Sequence, residues 1–321
     1  RADMDALPID EATGLPYASC NTGIMHACGH DGHTAMLLAA AKHIAQKAEF
    51  SGTVNLIFQP AEEGLGGAKK MMEDGLFTQF PCDAVFGMHN MPGHPQGQLV
   101  FRDGPAMASS DNVTITIEGT GGHGALPHRA ADPVVAGSAI VMGLQSIVSR
   151  NVDPQEMAII TVGAFNAGVA NNVIPQHATL KLSVRSLNRE VRVLLEQRIT
   201  ELVNAQAISY GVKAHIDYKR GYPVLVNHLN ETDFARNVGE ELVGAANVTR
   251  QGRALTGSED FAFMLEEVPG CYLLIGKGDG SGDGHGACMV HNPGYDFNDQ
   301  NVAVGSAYWS LLVERFLPTQ G

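Results

Sequence analysis

Nine residues, Met25-His26-Ala27-Cys28-Gly29-His30-Asp31-Gly32-His33, carry one thiol and three imidazoles just ahead of a run with helical periodicity. That density restricts the fold more than any other feature, because such donors are useful only where remote segments bring partners to them. Cys28 and His30 are two apart, so on an extended or turning backbone both side chains face one point, and Gly29 and Gly32 remove bulk beside it. No C-x-x-C pair is present, and taken alone the stretch also reads as a buried thiol with exposed histidines at a helix start.

Downstream, Met36, Leu37, Ala40 and Ile44 recur at helical spacing, which predicts an amphipathic helix over 34–46 with His33 at its start. The β-prone run 53–58 stops at Gln59-Pro60-Ala61-Glu62-Glu63-Gly64, leaving two carboxylates just past the end of a strand. A helix over 68–73 closed by Gly75 follows, and then 83–89 reads as a buried strand ending on His89. Strand, helix, strand points to parallel pairing in an α/β sheet, where sites gather outside the carboxyl ends of strands. Glu62, Glu63 and His89 are therefore expected on one rim.

At about Ala106 the pattern changes. Asn112–Glu118 alternates with period two, a helix over 132–149 carries Pro133 in its first turn, and strands near 157–164 and 179–184, a helix over 190–209 and a strand near 213–218 follow. The order βαββαβ is that of a ferredoxin-like sandwich. Helices over 231–243 and 258–267, a strand over 271–276, a loop over 276–286 and a last helix reaching Phe316 complete the chain. The reading is an α/β domain formed by 1–107 and 221–321, interrupted by an inserted α+β domain over 108–220.

At 321 residues the chain exceeds what one hydrophobic core usually serves, in keeping with two domains. The net charge of −13 opposes binding to nucleic acid or to an anionic membrane. Apolar stretches such as Val134–Leu144 are interrupted well before the ~20 residues that span a bilayer. Five cysteines, odd in number and unpatterned, argue against a disulfide framework and for a reducing compartment, so the cytoplasm is expected. No signal-peptide pattern opens the chain. It begins Arg1-Ala2-Asp3-Met4-Asp5-Ala6-Leu7-Pro8, without an initiator Met and like the tail of a strand, so an upstream segment is expected.

Cys28, His30, Glu62, Glu63, His89 and His291 together supply soft, borderline and hard donors, more than one metal needs. A two-metal hydrolytic centre would use about five of them and leave one carboxylate free as a base. His285 is the rival to His291. Gly119–Gly124 is not a phosphate-binding loop, because no Lys-Ser/Thr follows its glycines.

In eight ordered motifs the chain resembles the dinuclear metallopeptidases that include aminoacylase, glutamate-releasing carboxypeptidases and dipeptidases. It is most similar to the amidohydrolase branch of hippurate hydrolase and the plant auxin-conjugate hydrolases. The motifs are Arg1–Pro8, Met25–His33, Gln59–Glu63, Gly87–Asn90, Gly121–Gly124, Asn172–Pro175, Gly257–Phe261 and His291–Asp299. The resemblance implies a mixed-sheet catalytic domain with an inserted ferredoxin-like lid and dimerisation domain, and a homodimer built through the latter. It implies two divalent ions (zinc, manganese, cobalt or nickel) on Cys28, His30, Glu63, His89 and His291, with Glu62 as general base and Asp5 in support. Where much of the family has a ligand His this chain has Asp3, and Cys28 supplies the missing donor. His123 is implied to stabilise the oxyanion, often from the partner subunit, while Asn172 and Arg185 match positions that hold the substrate's carbonyl oxygen and carboxylate.

The activity so implied is cleavage of N-acyl amino acids. A carboxypeptidase or dipeptidase using the same machinery, and a metal-binding protein without catalysis, are the other readings. Glu62 and His123 speak against the last, since binding alone requires neither. His26 and His33 stand as residues that orient the ligands from behind, and the remaining histidines as structural or exposed.

Overall fold

The computed structural model describes residues 1–47, 49–64, 66–278 and 288–319. The chain forms two compact units, one from Arg1–Ala106, Val226–Arg253 and Asp260–Gly321, the other from Met107–Leu225 and Ala254–Glu259.

In the first unit the strand Val85–Pro92 is buried along nearly its whole length and runs parallel to Gly270–Gly278. That partner meets Leu99–Val100 antiparallel, and Leu99–Val100 pairs in parallel with Val248–Thr249, so the sheet is mixed. The helices His30–Lys47 and Gln300–Phe316 pack against each other where Gly305 admits Met36; a Cβ at 305 would meet the Met36 sulfur at 2.0 Å. Met36, Leu37, Met88, Leu273, Tyr308 and Trp309 share one core, each apolar side chain contributing about 1.5–3 kcal/mol by burial.

Several boundaries differ from expectation for physical reasons. The first helix starts at His30, four residues before Thr34, and within it Gly32 accommodates the Phe297 ring: a Cβ there would lie 2.4 Å from it. The strand expected over 53–58 reduces to Phe58–Gln59, which pairs in parallel with Ala2–Asp3; 53–57 has no ladder partner among the described residues. The strand expected to end on His89 continues to Pro92, because Gly270–Gly278 offers partners that far. Gly276–Gly278 accordingly belongs to a strand, not to the expected loop, while 279–287, with His285, lies outside the described residues. The helix expected over 258–267 spans only Phe261–Glu267.

The second unit runs Asp111–Glu118, helix Pro133–Arg150, Ala158–Ala167, His177–Ser186, helix Arg189–Tyr210, Lys213–Arg220. Its four strands are antiparallel in the spatial order fourth, first, third, second, the ferredoxin-like arrangement. Asp132 caps the first helix by accepting from the Val134 amide at 2.8 Å, and Asn188 caps the second through the Glu190 amide at 2.7 Å. Pro133–Arg150 is long and apolar enough to span a bilayer by composition, yet its Ala136, Ile140, Leu144 and Ile147 are buried in this unit's core. Ala254–Glu259 joins this unit because Ala108 N donates to Leu255 O and Gly257 O, and Arg185 Nη1 to Thr256 O at 3.1 Å.

Candidate metal centre

The centre begins where the first helix does. Gly29, at φ 88°, lets the segment turn between Cys28 and His30, and a Cβ there would lie 2.3 Å from Asn90 Nδ2 and 2.7 Å from Tyr295 Oη. Only glycine allows the three segments this approach. Asp5 joins two further pieces: its main-chain oxygen accepts from His30 Nδ1 at 3.0 Å, and its carboxylate accepts the amides of Glu62 and Glu63 at 3.0 and 2.9 Å. His291 N donates to Ala27 O at 2.7 Å, which brings the distant segment beside Cys28. Among the described non-glycine residues only Ala61 (φ 58°) and His291 (φ 66°) have left-handed backbone, and both belong to this centre.

The hydrogen bonds select tautomers. A carbonyl oxygen can only accept, so Nδ1 of His30 donates to Asp5 O and Nδ1 of His89 donates to Asn90 O at 2.5 Å. In its neutral form each ring therefore presents an unprotonated Nε2. His89 Nε2 lies 3.4 Å from Cys28 Sγ, and His30 Nε2 is buried without a hydrogen-bond partner. Such an orphan normally costs about 1–3 kcal/mol, and a cation would satisfy it.

Ligand atoms of Cys28, His30 and His89 all fall within 4.8 Å of one another, as do those of Cys28, Glu63 and His291, and those of His30, Glu62 and Glu63. The first two triads share Cys28. His291 Nε2 stands 3.1 Å from Glu63 Oε1, near enough for an ion pair but without hydrogen-bond alignment, so that Oε1 too is left unbonded. A fourth cluster, Asp3, His30 and His33, is already committed: Asp3 Oδ1 takes His33 Nδ1 at 2.6 Å and Oδ2 takes Arg1 Nη1 at 2.8 Å.

The electrostatics are those of a cation site. Burial, with Glu63, Glu62 and Asp3 nearby, pushes the Cys28 thiol far up. Burial acts against protonation of His30, but Asp3, Asp5 and Glu63 outweigh it and raise this imidazole to about 9. His89, buried and near His33, is lowered to about 3. Pairing with Glu63 raises His291 despite its partial burial. Negative groups thus surround buried donors, a charge balance that divalent ions would reverse.

The remaining predicted residues lie in the second unit. Gly122–His123 pairs antiparallel with Val173–Ile174, and Gly124 N donates to Asn172 O at 2.8 Å, so His123 and Asn172 share one exposed ribbon. The Ala125 amide donates to His123 Nδ1 at 3.0 Å, which leaves the proton of the neutral ring on Nε2. Arg185 is on His177–Ser186 and spends one donor on Thr256.

Sequence reasoning missed the supports. Asn90, fully buried, contacts Cys28, His33 and Tyr295; a polar residue directly after a candidate ligand in an apolar strand was its signal. Buried Arg1, Gln59 and Asp260 form another network: Arg1 Nε donates to Gln59 Oε1 at 2.8 Å, and Asp260 accepts from Gln59 Nε2 and the Ala68 amide, both at 2.8 Å. That network holds the short strand leading to Glu62; its members lie in the motifs Arg1–Pro8, Gln59–Glu63 and Gly257–Phe261, but no local pattern shows that they meet.

A mixed α/β unit carrying a thiol, imidazoles and carboxylates around unbonded buried atoms, with a carboxylate to spare, defines a metal-dependent hydrolase. The family model described as Peptidase family M20/M25/M40 matches residues 1–315, and the chain belongs to that family. It is 46% identical over 317 residues to a hippurate hydrolase of Campylobacter jejuni, covering 99% of this chain and 81% of that enzyme. An IAA-amino acid hydrolase of Arabidopsis thaliana is 36% identical over 322 residues, covering 99% and 72%. Among solved structures, a dinuclear metal-binding peptidase of the M20 family from Bacillus subtilis superposes with a TM-score of 0.83 at 34% identity, covering 100% of this chain and 81% of that one.

Proposed function

We propose that this chain hydrolyses the amide bond of N-acyl amino acids, giving a carboxylic acid and a free amino acid, at two divalent ions held by Cys28, His30, Glu63, His89 and His291. The observation that carries the reading is the overlap of two donor triads on Cys28, with Glu62 buried beside them. The relatives that act on hippurate and on IAA-amino acids, and the dinuclear structural neighbour, support the substrate class and the number of ions. Such ions, when bound, bring the pKa of a water towards ~7 and polarise a carbonyl.

Glu62 takes the proton of the attacking water and delivers it to the departing amine, a role worth roughly 10²–10⁴-fold. Asp5 holds the two glutamates through their amides, so Glu62 and Glu63 keep separate tasks. His123 donates its Nε2 proton to the oxyanion, Asn172 binds the carbonyl oxygen, and Arg185 receives the substrate carboxylate on the donors that Thr256 leaves over.

Thiolate and imidazole donors favour zinc, with manganese, cobalt and nickel as the other candidates. The strand Ala158–Ala167 lies at a sheet edge and supports a homodimer formed through the second unit. Five free cysteines support a cytoplasmic setting.

The test is release of free amino acid from benzoyl, acetyl, indole-acetyl and long-chain acyl amino acids by metal-reconstituted protein, with and without chelator. Chelator-sensitive release from at least one is expected. A fully metallated protein inert on all of them would sink the reading.

A further inference from the structure

Asn90 is fully buried in the strand Val85–Pro92, and all of its polar groups are turned to the metal centre or to a brace behind it. Its amide N donates to His33 Nε2 at 2.9 Å, and its main-chain oxygen accepts from His89 Nδ1. Its side-chain Nδ2 donates to Cys28 O at 2.7 Å and lies 2.9 Å from His33 Nε2, while Oδ1 accepts from the Tyr295 hydroxyl. The Tyr295 ring is itself fixed, with Lys277 Nζ 4.5 Å from its centroid.

We propose that Asn90 is a positioning residue that sets the geometry of two metal ligands at once, the Cys28 segment through its side chain and the His89 ring through its main chain, with Tyr295 holding its carboxamide in register. The inference rests on the assignment of Cys28 and His89 as ligands. Its physical basis is that a ligand tautomer and direction are selected by the group behind the ring or thiol. Here one residue reaches both, by its carboxamide to Cys28 O and by its main-chain oxygen to His89 Nδ1. A side chain without the Nδ2 donor leaves Cys28 O unsatisfied inside the protein and frees the turn at Gly29, so Sγ loses its fixed direction towards His89 Nε2.

The test is cobalt titration of chelator-stripped protein, read by the thiolate-to-cobalt absorption band and by competition with a chelator, alongside melting temperature. Asn90→Leu is expected to weaken cobalt binding roughly 10- to 100-fold and to shift or diminish the band at temperatures where the protein is folded. Tyr295→Phe, which keeps the ring and removes only the hydroxyl, is expected to change both in the same direction and by less. Should Asn90→Leu fail to fold, Tyr295→Phe decides. Wild-type affinity and an unaltered band in the folded variants overturn the inference, even if melting falls, since that is a structural role alone. A wild-type band abolished by Cys28→Ser confirms the ligand assignment independently. If the wild type shows no such band, that assignment fails and this inference with it.

Discussion

The main-chain oxygen of Asp5 accepts the Nδ1 proton of His30 at 3.0 Å while the carboxylate of the same residue holds the amides of Glu62 and Glu63. One residue thereby aims an imidazole at the centre and sets the adjacent glutamates on a single support.

The two glutamates share that support, and glutamine substitutions should separate the tasks proposed for them. Glu62→Gln is expected to keep its metal and lose roughly 10²–10⁴-fold in turnover, whereas Glu63→Gln loses metal. Metal analysis beside turnover checks it, and equal metal loss in both variants contradicts the division.

If the proposed homodimer forms and His123 acts across it, inactive variants should complement each other. Mixing inactive Glu62→Gln with inactive His123→Ala, under conditions of subunit exchange, should restore up to roughly a quarter of wild-type activity, since half the dimers are mixed and each has one complete site. No recovery despite proven exchange means that the site is completed within one chain.

Loading with metal should depend on pH in a definite sense. In the metal-free protein the Cys28 thiol is held protonated and His30 titrates at about 9, so both carry protons at neutral pH that coordination must displace. Affinity should therefore fall as pH falls, with net proton release on binding at neutral pH. Calorimetry in buffers of different ionisation enthalpy measures this, and a pH-independent affinity refutes it.

Asp5 bears on acid stability. Burial works against its ionisation, but the bond from His30 and the amides of Glu63 and Glu62 outweigh it, so its folded pKa lies below the ordinary value. A depressed carboxylate contributes stability that is complete above its unfolded pKa of about 3.9 and is lost as pH falls through the folded value. Urea unfolding of metal-free Asp5→Asn should thus show a deficit against wild type near neutrality that shrinks in acid. A deficit constant with pH counts against it.

Gly67→Ala probes the loop that carries the glutamates. A Cβ at 67 would sit 1.7 Å from Pro60 O, a main-chain atom. The backbone must move, at a cost of about 1–3 kcal/mol or more. A lowered melting temperature with impaired turnover is expected, and an unchanged protein would show that the loop yields freely.

Much of this was legible in the sequence because it depends on residue type and short-range pattern. Period two in 112–118 and Pro133 in the first turn of the helix that follows mark the second unit's first elements to within a few residues. Cys28, His30, Glu62, Glu63, His89 and His291, picked from four separate stretches, lie together in the structure. What was hidden depends on distant partners. Gly32 reads only as missing bulk beside Cys28 and His30 until Phe297 is seen occupying the space of its missing side chain. The run 53–57 has strand composition but no ladder partner among the described residues, and Asn90 gains its significance only when Cys28 and Tyr295 arrive from elsewhere.

The left-handed backbone at Ala61 and His291 has a thermodynamic corollary. Conformations of this kind cost about 1–3 kcal/mol each and persist only while their surroundings insist on them. Cations gripped by Glu63 and His291 would supply part of that insistence. Demetallation should then relax these two hinges first, and amide hydrogen exchange should quicken around 61–63 and 290–292 before the buried sheet is touched.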